Sequence, residues 1–343
     1  MLRETLGKAA AGKPLSAGEA ERALEEIMEG TANPAVTAAL LTALRVRGES
    51  VGEIVGFARA MRRFSEKVVA PEGVVDTCGT GGDAKGTINI STAAAFVARG
   101  AGVVIAKHGN RAATSQAGSA DVLEALGAEI GLGPEEVGRC IEEVGIGFMF
   151  ARTHHPAMRH VVPVRAELPF RTIFNLLGPL TNPAGARRQL VGVFHGDYVR
   201  PVAEALGELG AEKALVVHGT DGLDEITVTG PTLAAEVSDG AVTEYEISPE
   251  QFGLLRHAPD GLLGGDAHLN ARVLRDVLSG AERGAARDVI LLNAGAAVYV
   301  SGEKTVEEGV RLAEESITSG AAAKALDNFV RTTRRMVGMG GAV

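Results

Sequence analysis

The sequence predicts an α/β protein in which a small helical region precedes a larger region built around a parallel sheet. Apolar residues recur at helical spacing through about the first 66 positions. From about Pro71 onward, short β-rich apolar runs alternate with helical runs, which is typical of parallel α/β structure. The chain has 343 residues and 45% of them are hydrophobic, enough for two domains and a sizeable core.

Three short helices are predicted within the first 66 residues. The pairs Ser16–Glu19 and Ser50–Glu53 have the spacing of a capping box, in which each side chain binds the backbone N–H of the other residue. Pro34 lies in the first turn of the helix between them, where proline is well tolerated. Three helices joined by tight turns form a small bundle rather than a complete large domain.

Five apolar runs with the composition of strands follow, separated by helical segments. The stretch 154–183 is instead rich in proline and lacks strand alternation, so it is predicted to be helical. The chain is predicted to end in helices, although the apolar run 287–300 is also compatible with a buried strand. The predicted strands are VVDT (74–77), GVVIAK (102–107), GFMF (147–150), QLVGVFH (189–195) and KALVVHG (213–219).

Composition and charge argue against several classes of protein. The formal net charge is −9 and aromatic residues make up 4% of the chain, which disfavours a surface for nucleic acid or an anionic membrane. The two cysteines, Cys78 and Cys140, suggest neither a disulfide framework nor a zinc site. Since there is also no apolar signal core and no run that could span a bilayer, we expect a reduced cytoplasmic location.

The segment VDTCGTGGDAKGTINIST, residues 75–92, has the order strand, glycine-rich turn, helix N-terminus. Free backbone N–H groups and the helix dipole favour an anion at such a place. Gly79, Gly81 and Gly82 allow a phosphate to approach the backbone closely. The alternative is a flexible turn with an ordinary serine N-cap, but the order of the elements favours phosphate binding. The segment matches neither the dinucleotide-binding nor the P-loop motif.

A second group of polar residues, KHGNRAATS (107–115), begins at the carboxyl-terminal end of the predicted strand GVVIAK (102–107). Ligands of open α/β sheets bind beyond the carboxyl ends of the strands. Lys107 and Arg111 carry charges suited to phosphate oxygens. Each charge alone would be interpreted as a solvated surface group. Together with the glycine-rich segment, the group indicates the second half of a polyanion site.

Asp224 and Glu225 follow the last predicted strand across a glycine-containing turn. Adjacent carboxylates are oxygen ligands suited to Mg²⁺, which commonly bridges to phosphates. A bare pair of acids is more often a surface feature of a turn. A polyanion site needs a counter-cation, however, and this context favours a metal site. Asp83 is a further candidate near the phosphates.

Six motifs, taken in order, resemble the anthranilate phosphoribosyltransferase family, and the match extends over essentially the whole chain. Each motif is weak by itself, whereas the ordered set is highly specific. The motifs are GTGGD (79–83), NIST (89–92), KHGNR (107–111), GSADVLEALG (118–127), FNLLGPLTNP (174–183) and HGTDGLDE (218–225).

The resemblance implies a small helical domain beside a larger α/β domain with a mostly parallel central sheet flanked by helices. Residues 1–66, completed by about 154–185, would form the helical domain. Residues 71–153 and 186–343 would form the domain that binds phosphoribosyl pyrophosphate (PRPP). The family also implies a homodimer joined through the helical domains.

The resemblance further implies a reaction of tryptophan biosynthesis, in which PRPP, bound with Mg²⁺, transfers its phosphoribosyl group to the amine of anthranilate. Ser91, Asp224 and Glu225 would bind the metal ions. The resemblance gives catalytic roles to Lys107, Asp224 and Glu225, because Lys107 and the Mg²⁺ held by the acidic pair would stabilise the departing pyrophosphate. The residues expected to contact PRPP are Gly79, Gly82, Asp83, Thr87, Asn89, Ile90, Ser91, Thr92, Lys107, His108, Gly109, Asn110, Arg111, Ala112, Ala113, Thr114, Ser115 and Ser119.

For the acceptor, the resemblance implies contacts of anthranilate with Gly79, Asn110 and Arg165. A guanidinium can bind the carboxylate of anthranilate through two hydrogen bonds, which suits this role for Arg165. The sequence departs from the family at two positions. Ala84 stands where a further glycine is usual and restricts the backbone there, and Met158 replaces a frequent aromatic residue.

Two other functions are less consistent with the sequence. A pyrimidine nucleoside phosphorylase would have KHSTGG in the first glycine loop, where this sequence has DTCGTGG, and would not require the acidic pair. A non-catalytic, nucleic-acid-binding relative would have a basic surface and eroded phosphate and metal motifs. The chain is acidic and keeps both motifs, so both functions are disfavoured.

Overall fold

The computed structural model describes residues 1–112 and 116–340. The prediction of three N-terminal helices was wrong, because the segment that begins at Leu2 is also helical. That helix buries only Leu2, Thr5 and Ala9, so its apolar periodicity is weak. The N-terminal helices are α1 (Leu2–Ala10), α2 (Ala17–Met28), α3 (Pro34–Arg47) and α4 (Val51–Arg63).

Both predicted capping boxes are present. Ser16 Oγ accepts the N–H of Glu19 at 3.3 Å, and Glu19 accepts the N–H of Ser16 at 2.8 Å. Ser50 and Glu53 make the same reciprocal pair at the start of α4. These contacts satisfy backbone N–H groups that a helix start leaves without partners, so they fix where α2 and α4 begin.

The described residues form one seven-stranded sheet in the order β3-β2-β1-β4-β5-β6-β7. Strands β1 to β5 pair in parallel, as predicted. Strands β6 and β7 add an antiparallel hairpin at one edge, which was not predicted. The strands are β1 (Val75–Gly79), β2 (Ile105–Gly109), β3 (Ile146–Phe150), β4 (Arg188–Gly192), β5 (Lys213–Gly219), β6 (Thr232–Ser238) and β7 (Ala241–Ile247).

The stretch between β3 and β4 is helical, as predicted, but it is broken into short pieces. Proline is found near the start of several of them, since it cannot continue a helix that precedes it. The pieces are α8 (Ala151–His154), α9 (Val162–Ala166) and α10 (Phe174–Leu177), with 3₁₀ turns at Pro156–His160 and Pro179–Thr181.

Longer helices cover the sheet. The run 287–300 belongs to a helix that is buried on nearly every side, so the alternative of a strand was wrong. Further 3₁₀ turns lie at Gly196–Tyr198, Pro249–Phe252 and Pro259–Leu262. The helices are α5 (Ile90–Gly100), α6 (Ser119–Ala125), α7 (Pro134–Val144), α11 (Val199–Glu208), α12 (Ala267–Leu278), α13 (Ala285–Ser301), α14 (Val306–Thr318) and α15 (Ala321–Gly340).

Two hydrophobic cores lie on opposite faces of the sheet. One contains the apolar residues of α5, α6, α12 and α13. The other joins α2, α3 and α4 to α11, and it includes Val161, Ile173 and Leu177 of the broken helical stretch. That stretch therefore packs with the N-terminal helices, although β3 and β4 flank it in sequence. No helix in the described ranges combines the length and apolar character needed to cross a membrane.

Candidate active site

Loops from the carboxyl ends of the parallel strands meet at one edge of the sheet. The last residue of β1, Gly79, pairs with the last residue of β4, Gly192. The backbone N–H of Thr80 donates to the carbonyl of Gly192 at 2.9 Å. The hydroxyl of Thr80 in turn accepts the N–H of Phe194 at 3.0 Å. The glycine-rich loop is thus anchored to the loop that follows β4.

The glycine-rich loop depends on left-handed backbone conformations. Gly81, Gly82 and Gly86 have φ of 65°, 79° and 64°. Ala84 has φ of 58°, a conformation that glycine adopts without strain and alanine does not. Ala84, one of the two positions at which the sequence departs from the motif pattern, is therefore one where the backbone favours glycine.

The acidic pair after β5 lies directly against this loop. Asp224 Oδ2 accepts the N–H of Gly81 at 2.7 Å. Glu225 Oε1 accepts the N–H of Ser91, in the first turn of α5, at 3.1 Å. A Cβ built on Gly79 would lie 2.5 Å from Asp224 Oδ2, so only glycine permits this approach. The predicted metal-binding pair thus lies beside the predicted phosphate-binding loop.

Burial disfavours the ionised forms of Asp224 and Glu225. Burial, followed by repulsion from Glu225 and Asp83, raises the pKa of Asp224 well above its ordinary value. Burial also raises the pKa of Glu225 to about 7. The described residues contain no cluster of three or more histidine, cysteine or carboxylate side chains placed to enclose a metal. Mg²⁺ commonly uses only one or two carboxylates and takes its other ligands from water and phosphate. The pair therefore fits a divalent ion shared with a substrate.

Lys107 lies beneath the start of α5 rather than in the open loop region. Its ammonium donates to the carbonyl of Thr77 and, at 3.2 Å, to Ser91 Oγ. The side chain is buried, and burial lowers the pKa of Lys107. Its charge also acts on Glu225, whose pKa it lowers against the effect of burial. The structure thus places this cation under the site, next to the acidic pair.

The first turn of α5 is held by side chains from distant segments. Asn89 Nδ2 donates to the carbonyl of Ala117 at 3.0 Å. Its Oδ1 accepts from Asn270 Nδ2, on α12, at 2.9 Å. Thr92 Oγ1 donates to Ser119 Oγ at 3.0 Å. The backbone N–H groups of this turn and the segment around residue 117 are therefore fixed relative to each other.

Only some of the polar residues in the segment that begins at Lys107 are free to contact a ligand at the site. Arg111 binds Asp121 at 2.7 Å and Glu124 at 2.5 Å, so its charge is occupied by carboxylates. Asn110 is exposed, and its side-chain oxygen accepts the N–H of Arg111. Gly109 ends β2 at the same edge as Gly79. Three of the predicted contact residues, Ala113, Thr114 and Ser115, lie outside the described residues.

The broken helical stretch brings His155 and the carbonyl of Gly178 to His108, near the end of β2, and it also carries Arg165. His108 Nδ1 donates to the carbonyl of Gly178 at 3.0 Å, and its ring lies 5.0 Å from that of His155. Burial lowers the pKa of His108, and it lowers that of His155 to about 3, so both are neutral at pH 7. Arg165 stacks at 5.5 Å on the ring of Phe174, and burial lowers its pKa.

Sequence reasoning missed the residues that position the loops. Asn293, on α13, accepts the N–H of Ile226 at 3.0 Å and donates to its carbonyl at 2.8 Å. This amide fixes the backbone immediately after Glu225. Asn270 instead holds a side chain, because its Nδ2 donates to Asn89 Oδ1 and so orients Asn89 at the start of α5. An asparagine inside an otherwise apolar helix, as in the LLNAGAA run (291–297), is the signal that could have revealed Asn293.

Comparisons with known proteins agree with the architecture. The model of the glycosyl transferase family, helical bundle domain, matches residues 3–65, and that of its a/b domain matches residues 71–323. The chain is 82% identical to an anthranilate phosphoribosyltransferase of Rubrobacter xylanophilus over 341 residues, 99% of this chain and 100% of that protein.

Solved structures agree as well. The anthranilate phosphoribosyltransferase of Thermus thermophilus is 48% identical and has a TM-score of 0.92, covering 96% of this chain and 99% of that one. The Saccharomyces cerevisiae enzyme in complex with PRPP and Mg is 31% identical, with a TM-score of 0.88, covering 97% of this chain and 98% of that one.

The helical bundle, the mostly parallel sheet and the loops at its carboxyl edge define an enzyme of the glycosyl transferase class. Within that class, identity of 82% over nearly the full length of both chains decides the family. The chain belongs to the anthranilate phosphoribosyltransferase family.

Proposed function

We propose that this protein transfers the 5-phosphoribosyl group of PRPP to the amine of anthranilate, giving N-(5-phosphoribosyl)anthranilate and pyrophosphate in tryptophan biosynthesis. The observation that carries the proposal is the convergence of three features at one sheet edge: the glycine-rich loop, the start of α5 and the buried acidic pair. A polyanionic substrate that carries a divalent ion complements all three.

The donor binds along the glycine-rich loop and the first turn of α5. The N–H groups of Gly81 and Ser91, which now donate to carboxylates, are the type of donor that phosphate oxygens use. Lys107 adds positive charge beneath the turn. The proposed contact residues are those predicted from the resemblance, Gly79, Gly82, Asp83, Thr87, Asn89 to Thr92, Lys107 to Ser115 and Ser119.

Asp224 and Glu225, with the Ser91 hydroxyl, hold Mg²⁺ in this proposal. Their burial and mutual repulsion support it, because a divalent ion offsets both. Bound there, the ion neutralises charge that develops on pyrophosphate as the bond to the ribose carbon breaks. Lys107 and the backbone N–H groups also stabilise the negative charge that develops on pyrophosphate.

Anthranilate occupies the region near Arg165, Asn110 and Gly79. Arg165 forms no ion pair with any described residue, so its guanidinium is available for a carboxylate. The neutral rings of His108, near the end of β2, and of His155, in the broken helical stretch, lie 5.0 Å apart, and in this proposal they line the anthranilate region. The aromatic amine is already uncharged at pH 7, so positioning rather than a strong base promotes its attack.

Three further features belong to this proposal. Residues 1–66 with about 154–185 form the helical domain, which the shared core of α2 to α4 and residues 161–177 supports. Residues 71–153 and 186–343 form the PRPP-binding domain. The enzyme works as a homodimer through its helical domains, in the cytoplasm. Family membership supports the dimer, and two free buried cysteines suit a reducing compartment.

Anthranilate fluorescence tests the function directly. We expect the signal to fall when enzyme, PRPP and Mg²⁺ are all present, and to stay constant when any one is omitted. A constant signal with all three present and the protein folded would refute the proposal. Nucleoside phosphorolysis and retention on heparin would then test the two disfavoured functions.

A further inference from the structure

Arg171 lies against the glycine-rich loop, although it belongs to the broken helical stretch. A Cβ built on Gly82 would lie 3.3 Å from its Nε and 3.4 Å from its Nη2. Its guanidinium carbon is 4.4 Å from the centre of the Phe194 ring, in a cation–π contact. Phe194 itself is tied to the loop, because its N–H donates to Thr80. The guanidinium therefore covers the central turn of the loop.

No carboxylate within residues 1–112 and 116–340 pairs with this half-buried guanidinium. An arginine in such a place usually has an acidic partner, as Arg111 has in Asp121 and Glu124. The Phe194 face holds the planar group without using its N–H donors. The donors of Arg171 are thus positioned beside Gly82 and remain available to an anion.

We propose that Arg171 binds the pyrophosphate group of the donor at the glycine-rich loop. This inference rests on the proposed function, which places a phosphorylated donor there. A guanidinium can donate two parallel hydrogen bonds to phosphate oxygens, and a cation–π contact pre-organises it for that geometry.

The charges around the loop support this assignment. The carboxyl groups of Asp83, Asp224 and Glu225 make the loop region acidic, and the phosphates of the donor add further negative charge. Lys107 is buried beneath α5 and already binds a carbonyl and a hydroxyl. Arg171 supplies positive charge from the broken helical stretch between β3 and β4. The donor would consequently link the glycine-rich loop to the stretch that packs with the N-terminal helices.

Inorganic pyrophosphate with Mg²⁺ is the probe, and its affinity is measured by calorimetry. Arg171→Gln removes the charge and keeps a polar side chain of similar reach. We expect its dissociation constant for pyrophosphate and its KM for PRPP to rise about tenfold or more, the usual effect of losing a charge-assisted hydrogen bond. The KM for anthranilate is expected to stay within about twofold, because the carboxylate-binding group is Arg165.

Two further variants distinguish binding from folding. Arg171→Lys keeps the charge but not the two-bond geometry, and we expect an intermediate loss of pyrophosphate affinity. Arg256→Gln removes an exposed arginine whose partner is Glu250, and we expect affinities like those of the wild type. Circular dichroism and thermal unfolding confirm that each variant is folded.

The outcomes separate the two proposals. Wild-type pyrophosphate affinity and PRPP kinetics in both Arg171 variants would overturn the inference and leave the proposed function intact. A change confined to the KM for anthranilate would also overturn it, because it would assign Arg171 to the acceptor. A wild-type protein that neither binds pyrophosphate nor consumes anthranilate would overturn the proposed function, and this inference with it.

Discussion

At the scale of single residues, the carboxylates of Asp224 and Glu225 accept hydrogen bonds from backbone N–H groups that would also suit phosphate oxygens. Their carboxylates accept from Gly81 and Ser91 at the glycine-rich loop and the start of α5. Each is buried, and the pKa of each is raised by that burial. Buried like charges are unfavourable for folding, so this pair is better explained by ligand binding than by stability.

The double variant Asp224→Asn, Glu225→Gln tests this separation of function from stability. We expect turnover to fall at least about 100-fold, because groups that stabilise transition-state charge contribute on that scale. The melting temperature is expected to remain unchanged or to rise, since the substitution removes repelled buried charge. The exposed control Glu212→Gln should leave turnover unchanged. Wild-type turnover of the double variant at saturating Mg²⁺ would contradict the metal assignment.

Ala84 carries backbone strain that glycine would relieve. Its φ of 58° costs an L-residue roughly 1–2 kcal/mol. Glycine gives back about 0.4–1 kcal/mol through the entropy of the unfolded chain. We therefore expect Ala84→Gly to stabilise the protein by up to about 1 kcal/mol in urea unfolding. Ala11→Gly, at an exposed site with φ of −79°, should instead be destabilising. If both substitutions changed the free energy of unfolding by the same amount, the backbone strain assigned to Ala84 would be wrong.

At the scale of elements, the end of β4 must approach the loop after β5 very closely. A Cβ built on Gly192 would overlap the carbonyl oxygen of Asp224. Gly192 also pairs with Gly79 and accepts the N–H of Thr80. One glycine thus joins the strand that carries the glycine-rich loop to the loop that carries the acidic pair.

Substitution of Gly192 therefore tests how these elements fit together. Gly192→Ala must displace the Asp224 backbone, and we expect a stability loss of about 2 kcal/mol or more together with a loss of turnover. The matched control is Gly207→Ala on α11, where the nearest atom to a new Cβ is Val237 Cγ1 at 3.6 Å. That control should keep turnover and be neutral or slightly stabilising, since alanine favours helix. Urea unfolding measures the stability of the two variants, and the fluorescence assay measures their turnover. Equal results for Gly192→Ala and Gly207→Ala would refute the close contact between β4 and the loop after β5.

At the scale of the whole molecule, local signals predicted most of the fold. Apolar runs and the capping pairs Ser16–Glu19 and Ser50–Glu53 depend only on neighbouring residues, and the structure contains them. The β6–β7 hairpin was missed because β7 is largely exposed and Thr243, Glu244 and Glu246 interrupt its apolar residues. Its turn, Asp239–Gly240, has the left-handed φ values of 51° and 77° typical of a two-residue hairpin, and Asp-Gly is a known signal for it.

The site was less predictable than the fold, because long-range contacts decide it. The roles of Asn270, Asn293 and Arg171 come from partners on distant segments. Lys107 illustrates the same limit: its position on the second predicted strand was evident, but the direction of its side chain toward the start of α5 was not. Composition and motif order identify which residue types are present, whereas packing determines which donors face a ligand.

Buried histidines also give the whole molecule an expected sensitivity to acid. His155 has a folded-state pKa of about 3 because of burial, against 6.5 for an exposed histidine. Between these values the unfolded chain binds a proton that the folded chain does not. The contribution of His155 to stability is thus constant above about pH 6.5 and is lost as the pH falls, by about 1 kcal/mol per pH unit.

His155→Gln isolates this contribution. Groups distant from His155 titrate equally in both proteins, so the difference in the pH slope of urea-unfolding free energy reports His155 and its coupling to His108 and His154. Between about pH 6 and pH 5 we expect the wild type to lose about 1 kcal/mol more stability than the variant. The control His268→Gln changes an exposed histidine and should reproduce the wild-type slope. Identical slopes for His155→Gln and the wild type would show that His155 takes up its proton in the folded state, and the neutral ring proposed beside anthranilate would then be wrong.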